Sequence, residues 1–304
     1  MSDPVPADLA DALAAAATRL GPFGRLQYFA EVTSTNDLAL TLAGRGAASG
    51  TSVLADAQRA GRGRRGRDWF SPPGAGLYLS VIVRPEREAP DRSLHAKPLD
   101  LTSDSPPPRR LRGTLPRQVK CLPGLVTLAA GVALARAVQA ATGLACELKW
   151  PNDLVTGRPW RKLAGVLCEA SGVAGESLEA VVVGIGVNLR PAAYPADVAK
   201  RATSLELELS RPVDKPRLVV ELLVALADVA RRLRDGDRVW ILNEWRRFGR
   251  AGLGGAPVRW NDRGTDRQGA ARDIDADGAL LVDVDGRRER LVAGDVTWER
   301  LSDG

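Results

Sequence analysis

The chain has 304 residues, 44% of them hydrophobic, and carries 43 Lys and Arg against 37 Asp and Glu, a formal net charge of +6. That is enough apolar chain for a large buried core plus a second, smaller unit, which argues against a disordered protein; the positive balance favours phosphates, nucleic acid or an acidic protein surface without choosing among them. The 3 cysteines, Cys121, Cys146 and Cys168, form no C-x-x-C pair, and the single histidine, His95, stands in a polar, proline-rich stretch, so neither a disulfide framework, a structural zinc site nor a His-based triad is expected and a reducing cytoplasm fits.

In chain order, "DLADALAAAATRL" is preceded by acidic residues and interrupted by Asp11, which predicts a short amphipathic helix and not a signal peptide. No apolar stretch is expected to reach the roughly 20 residues of a membrane span. "RLQYFAEVTSTN" reads as a strand entering a polar turn, with Ser34, Thr35 and Asn36 as capping residues for the helix "DLALTLAGRG". "GTSVLADAQ" is a strand, and "GLYLSVIVRP" is another, closed by Pro85. Between them lies a glycine-broken segment containing Arg62, Arg64, Arg65 and Arg67. Residues 86–119 are rich in proline and charge and are expected to form a surface insertion, disordered in part.

"LVTLAAGVALARAVQAATG" has the spacing of a long buried helix that stops at Gly143. "ACELKWPNDLVTGRPWRKLAGVLCEASG" predicts a strand, a Pro-Asn-Asp turn and a returning strand with its hairpin tip at Gly157 and Arg158. "SLEAVVVGIGVNLR" reads as a fully buried strand ending in a Gly-x-Gly turn, and helical patterning returns at residues 215–233. Past about residue 250 the pattern changes to short strands with glycine turns, "DADG" and "DVDG", as in a small β-barrel. The expected organisation is an N-terminal extension at 1–21, a large α/β unit at 22–249 and a small β unit at 250–304.

Neither familiar nucleotide motif is present. "VVVGIGVNLRP" lacks the third glycine of a dinucleotide fingerprint, and "GRGRRGR" lacks the Gly-Lys-Ser/Thr of a P-loop. What Gly184 and Gly186 offer is backbone without Cβ, which either makes a tight turn or lets a ligand ring approach closely. Residues 61–67 alternate glycine with arginine, so this backbone orders at a high entropic cost, and the planar arginine forks suit phosphate or carboxylate. Two functions compete for such a segment: a lid over a small anionic substrate, or an Arg-Gly clamp on nucleic acid. Short length, flanking strands and the adjacent Trp69 and Phe70 favour the lid. "KWPNDLV" places Lys149, Asn152 and Asp153 around a proline-fixed turn, and "RKLAG" places Lys162 at the start of the returning strand, so that both ammonium groups can face one phosphate-handling pocket, with Asp153 available for magnesium or for orienting an arginine.

Taken together, "STN", "QRAGRGRRGRDWFSPPGAGLYLSV", "KWPNDL", "RKLAGVLCE" and "VVVGIGVNL" stand in the order and approximate spacing of the biotin–protein ligases, and the segment ending "AGDVTWERL" resembles their small SH3-like domain. The resemblance spans residues 21–301 apart from the insertion. It implies a mixed α/β (α+β) catalytic domain of the class II synthetase and lipoate-ligase type. It implies an enzyme that condenses biotin with ATP, with Mg²⁺, to biotinyl-5′-AMP and transfers biotin to a lysine of the apo biotin carboxyl carrier domain of a carboxylase. A lipoate–protein ligase of the same fold is the related alternative, against which Gln58 and the arginine loop argue.

Residue by residue, the resemblance implies that Ser34, Thr35 and Gln58 hydrogen-bond the ureido ring of biotin, beside the Gly61 backbone, Arg62 and Gly165, with Gly184 and Gly186 lining the ring. Arg62, Arg64, Arg65 and Arg67 then belong to a loop that orders over the adenylate, with Arg64 on phosphate and Trp69 near the adenine. Lys162 stands at the reacting carboxylate and α-phosphate; Lys149 and Asn152 contact phosphates, Asp153 organises the cations, and Asn188 faces the adenine side. The ligands of the metal are left unassigned. With only about twenty residues before the first motif, operator-specific DNA binding is not expected, nor is a membrane partner; a monomer or weak homodimer is.

Overall fold

Residues 2–84, 117–174, 177–192, 194, 196–262, 264–292, 294 and 296–298 are described in a computed structural model of the protein. The expected insertion at 86–119, together with His95, lies outside these residues, except that its last three positions begin a helix.

The N-terminal alanine-rich segment forms two short helices, α1 (Ala7–Ala15) and α2 (Ala17–Leu20), which bury Leu9 and Leu20. Strand β1 (Leu26–Val32) follows and leads into α3 (Thr35–Gly44), whose N-cap Ser34 accepts from Asp37 N at 3.4 Å, as the capping pattern predicts. Strands β2 (Ser52–Gln58) and β3 (Gly76–Val83) flank the arginine-rich loop. Helix α4 (Arg117–Thr142) ends at Gly143, which has φ +77°. Strands β4 (Glu147–Lys149), β5 (Asp153–Thr156), β6 (Arg161–Ala174) and β7 (Ser177–Asn188) come next. The stretch expected to make one hairpin therefore makes two, because the Trp-Pro-Asn turn and the Gly157 turn each reverse the chain.

The short helices α5 (Ala196–Ala199) and α6 (Leu205–Leu209) precede α7 (Lys215–Arg234) and α8 (Arg238–Phe248). Asp214 caps α7 and Asp237 caps α8 through backbone N–H groups of Arg217 and Trp240. Five short strands complete the chain: β8 (Ala256–Asp262), β9 (Thr265–Ile274), β10 (Leu280–Val284), β11 (Arg287–Leu291) and β12 (Val296–Trp298).

The large sheet has the order β1-β2-β3-β7-β6-β5-β4; β1 and β2 are parallel, with α3 as their crossover, and the other neighbours are antiparallel. The small sheet is antiparallel, ordered β11-β10-β9-β8-β12. Its β10–β11 turn places Asp285 and Gly286 at φ 48° and 76°, the geometry of a two-residue type I′ hairpin predicted by "DVDG". The fold is thus the expected mixed α/β sheet with a C-terminal β unit.

Helices α4 and α7 cover one face of the large sheet and form the main core, in which Leu128, Leu134, Leu218 and Leu222 are essentially inaccessible. Each such side chain contributes about 1.5–3 kcal/mol of burial. The expectation of no membrane-length apolar stretch needs correcting: Gly124–Thr142 is long and apolar enough to span a membrane, yet most of it is buried as the central core helix. Helix α3 covers only part of the other face, packing Leu40 and Leu42 on Phe29, Val53 and Val182. That partial cover leaves the middle of the sheet open to the arginine loop.

Candidate active site

The open floor is set by strand register. Tyr78 of β3, Gly186 of β7 and Gly165 of β6 are successive partners across the sheet. The Gly-x-Gly turn expected at the end of β7 is not formed: Gly184 and Gly186 lie within the strand, and their missing Cβ atoms serve close approach. A Cβ on Gly186 would stand 2.5 Å from Cε2 of Trp69, and one on Gly165 would stand 3.1 Å from its ring. The Trp69 indole therefore lies flat on the glycine floor, and its buried N–H finds no acceptor.

The loop carrying Trp69 is a narrow hairpin. Gly63 N donates to Arg67 O at 2.7 Å and Trp69 N donates to Gly61 O at 2.9 Å. Gly61 has no room for a side chain, since its Cβ would meet Ser71 Oγ and Trp69 O at 2.5 Å. At the tip, Arg65 holds a left-handed φ of 58°, a conformation that disfavours side chains other than those of Gly, Asn and Asp. Arg65 and Arg67 are exposed, while Arg64 is half-buried.

Beside the floor, the start of α3 faces a chain of neutral hydrogen bonds. Thr35 N and Thr35 Oγ1 both donate to Gln58 Oε1, at 2.8 and 3.1 Å, and Gln58 Nε2 donates to Ser71 Oγ at 3.0 Å. Ser80 Oγ lies 2.8 Å from Thr35 Oγ1 and 2.6 Å from Asn36 Oδ1. Such a set suits a neutral polar ring with donors and acceptors on adjacent edges.

The cations gather on the other side. Arg64 Nη1 donates to Asn152 Oδ1 at 3.1 Å, and the Lys162 ammonium makes an ion pair with Asp153 at 2.6 Å while standing 5.1 Å from the Trp69 ring centroid. Asn152 is itself fixed, donating to Val166 O at 2.8 Å. The "PND" turn and the first residues of β6 thus bring one guanidinium and one ammonium to the edge of the glycine floor. Lys149, expected to share a pocket with Lys162, has its ammonium 5.5 Å from the ring centroid of Trp298, so the two lysines are engaged by different aromatic rings.

Three more of the expected site residues are held by neighbouring elements. Arg62 is gripped by two carboxylates, Asp37 at 2.7 Å and Glu169 at 2.6 Å, and so anchors the loop to α3 and β6. Ser34 serves as the cap of α3. The Asn188 amide donates to the backbone oxygens of Lys162 and Thr203, at 3.3 and 2.9 Å. Asn36, Asp37, Ser80 and Glu169 were not among the expected site residues. Their signal is present in the sequence: Ser80 and Glu169 are polar residues within the strand motifs "GLYLSV" and "RKLAGVLCE", and Asn36 and Asp37 directly follow Ser34 and Thr35 at the start of α3.

Burial shapes the nearby titrating groups. It raises the Cys168 thiol to about 12, against the lowering influence of Thr127 and Arg64, and it raises the Tyr78 hydroxyl above its ordinary value. Neither is a nucleophile at neutral pH. Among the described residues no group of three or more His, Cys, Asp or Glu side chains could hold a metal.

The sequence matches the model of the biotin/lipoate A/B protein ligase family over residues 28–96 and 110–188, and that of the biotin protein ligase C terminal domain over residues 253–297. It is 34% identical to a biotin–[acetyl-CoA-carboxylase] ligase of Mycobacterium tuberculosis over 282 residues, 91% of this chain and 90% of the relative. A biotin–[acetyl-CoA-carboxylase] ligase of Paracoccus denitrificans is 33% identical over 276 residues, 88% of this chain and 98% of the relative. Among solved structures, the fold superposes on biotin protein ligase from Aquifex aeolicus in complex with biotin and ATP, with a TM-score of 0.67 at 22% identity, covering 91% of this chain and 99% of that one. With both of its sheets and nearly its full length matched, this chain belongs to the biotin/lipoate A/B protein ligase family, as one of the biotin protein ligases.

Proposed function

We propose that the chain activates biotin with ATP and transfers it to a protein lysine. The observation that carries this reading is the placement of Arg64 and Lys162 at one edge of a Cβ-free floor whose other edge is the neutral Thr35–Gln58–Ser80 network. The neutral edge suits the ureido ring of biotin, with Ser34, Thr35, Gln58 and the Gly61 backbone nearby and Gly165, Gly184 and Gly186 beneath. The cationic edge suits two anions that repel each other, the biotin carboxylate and the ATP phosphates.

In the first step a carboxylate oxygen of biotin attacks the α-phosphorus, forming biotinyl-5′-AMP as the P–O bond to pyrophosphate breaks. Lys162 and Arg64 offset charge on the carboxylate and the phosphate oxygens, with Asn152 and Lys149 aiding and Asp153 holding Lys162. In the second, the uncharged amine of a carrier-domain lysine attacks the acyl carbon; AMP leaves and the amine loses a proton. A magnesium ion bound with the nucleotide would be held by Asp153 and the substrate phosphates, a donor set suited to it, and would supply charge neutralisation there. Because Trp69 rests on the floor, ligand entry requires it to lift. Arg65 and Arg67 then close over the anionic intermediate and keep water from the mixed anhydride.

Pyrophosphate release by Lys162→Ala with biotin and Mg-ATP tests the reading, alongside a thermal melt. A fall of about a hundredfold or more in a folded protein is expected when one such donor is removed. Near-normal release would overturn the assignment. Incubation of the intact chain with biotin, Mg-ATP and an apo carrier domain should add one biotin mass to the carrier.

A further inference from the structure

Lys162 lies near the beginning of β6, where the sheet that should hold it runs out. On one side, the β5–β6 register shifts between Leu154 and Val155, the residue that pairs with Lys162. On the other, β7 pairs Val187 with Ala164 and then departs, with Leu189 N and Arg190 N both donating to Ala75 O. A strand end held this way frays readily.

A separate segment takes the place that β7 leaves. Lys162 N donates to Arg201 O at 2.7 Å, and Thr203 N donates to Lys162 O at 3.0 Å, a parallel bridge centred on Ala202. The bridge is secured from both ends by side chains. Asn188 Nδ2 donates to Lys162 O and Thr203 O, tying the segment to β7. Glu208, on α6, accepts from Thr203 Oγ1 and from Arg161 Nη2, the latter at 2.7 Å, and so grips the bridging segment and the residue immediately before Lys162 with one carboxylate. Thr203 is 2% exposed.

We propose that Thr203 and Glu208 are positioning residues for Lys162: together they hold the bridge that fixes its backbone, so that its ammonium is already aimed when the two anions arrive. The proposal rests on the reading of Lys162 as the lysine at the reacting carboxylate and α-phosphate. A side chain with four rotatable bonds can be aimed only from a fixed backbone, and a displacement of about 1 Å at the reacting centre is enough to lower a rate a hundredfold. Neither residue touches the Lys162 ammonium, which belongs to Asp153.

The test is a double-mutant cycle on pyrophosphate release, with kcat and KM measured separately and a thermal melt on each variant. Thr203→Val keeps the shape and removes the hydroxyl; Glu208→Gln keeps the size and removes the charge. Each is expected to lower kcat tenfold or more with KM for biotin and ATP changed less than threefold, and Thr203→Ser should restore kcat to within twofold. In a Lys162→Ala background the same two changes should have no further effect, because the group they position is gone. A wild-type kcat in folded Thr203→Val and Glu208→Gln, with Lys162→Ala impaired, overturns the proposal, as does an additive loss in the Lys162→Ala background. Should Thr203→Val fail to fold, Glu208→Gln decides by the same criteria. A near-normal Lys162→Ala would instead overturn the role of the lysine itself.

Discussion

The side-chain oxygen of Asn36 lies 2.1 Å from the place where a Cβ on Gly184 would be built. The amide cannot step aside easily, because Ser80 donates to its oxygen at 2.6 Å and its nitrogen donates to Glu169 at 2.9 Å. Gly184→Ala is therefore expected to destabilise the fold by about 1–3 kcal/mol, as overpacking does, and to weaken biotin binding at least tenfold. Gly44→Ala is the control, for its Cβ would meet nothing within 4 Å and it ends α3, where alanine adds up to about 1 kcal/mol. Urea midpoints and titration calorimetry with biotin read both effects.

Limited proteolysis reports on the loop. Arg65 and Arg67 are exposed, whereas Arg62 is held by Asp37 and Glu169 with 20% of its side chain accessible. Trypsin should cut after Arg65 and Arg67 in the free protein and spare Arg62. Biotin and Mg-ATP together should slow those cuts at least tenfold, since ordering requires an anion for the arginines to hold. Equal rates with and without ligands would mean that the loop does not close.

Stability should respond to acid through Asp228, which joins α7 to Arg136 of α4 at 2.9 Å and also pairs with Arg231 and Arg232. Burial pushes its carboxyl up, but the three guanidinium groups outweigh that and leave it below its ordinary value. A depressed folded value stabilises above the unfolded value, near 3.9, and that stabilisation disappears as pH falls through the folded one. Wild type should exceed Asp228→Asn by about 1 kcal/mol at pH 7, with the difference shrinking towards zero below about pH 4. Urea titrations at several pH values check this; a difference independent of pH would assign the effect to packing.

Thiol chemistry gives a further check on the core. Burial raises Cys146 and Cys168 to about 12, so both thiols stay protonated at pH 8. Iodoacetamide should label both at least a hundredfold more slowly than a free cysteine, until urea unfolds the chain. Peptide mapping by mass reads the two sites separately.

Most elements of the large sheet, the helices α4 and α7 and the β-rich C-terminus could be read from the sequence, because each is announced locally by period, capping residue or glycine turn. The arrangement within the site could not. Gly184 and Gly186 look like a turn until the register shows Asn36 and Trp69 occupying the space beside them. Lys149 and Lys162 look like a pair along the chain, yet Trp298, more than a hundred residues away, faces the first and Trp69 faces the second. The clamp on Lys162 is less legible still, since Thr203 and Glu208 acquire meaning only where β7 leaves β6.

The indole N–H of Trp150, a residue 2% exposed, donates to Gly278 O at 3.0 Å, so the turn that presents Asn152 and Asp153 is fastened to the small sheet. Gly278 in turn has φ +83° and would press a Cβ against Leu128 of α4 at 2.9 Å. Chimeras are therefore constrained. A C-terminal sheet grafted from a relative must bring a carbonyl to the same point and keep a glycine there, or the host's phosphate-side turn loses its anchor even though every residue of the large sheet is retained. Exchange between ligases should succeed when the cut moves the Trp-Pro turn and the small sheet together, and fail when it separates them.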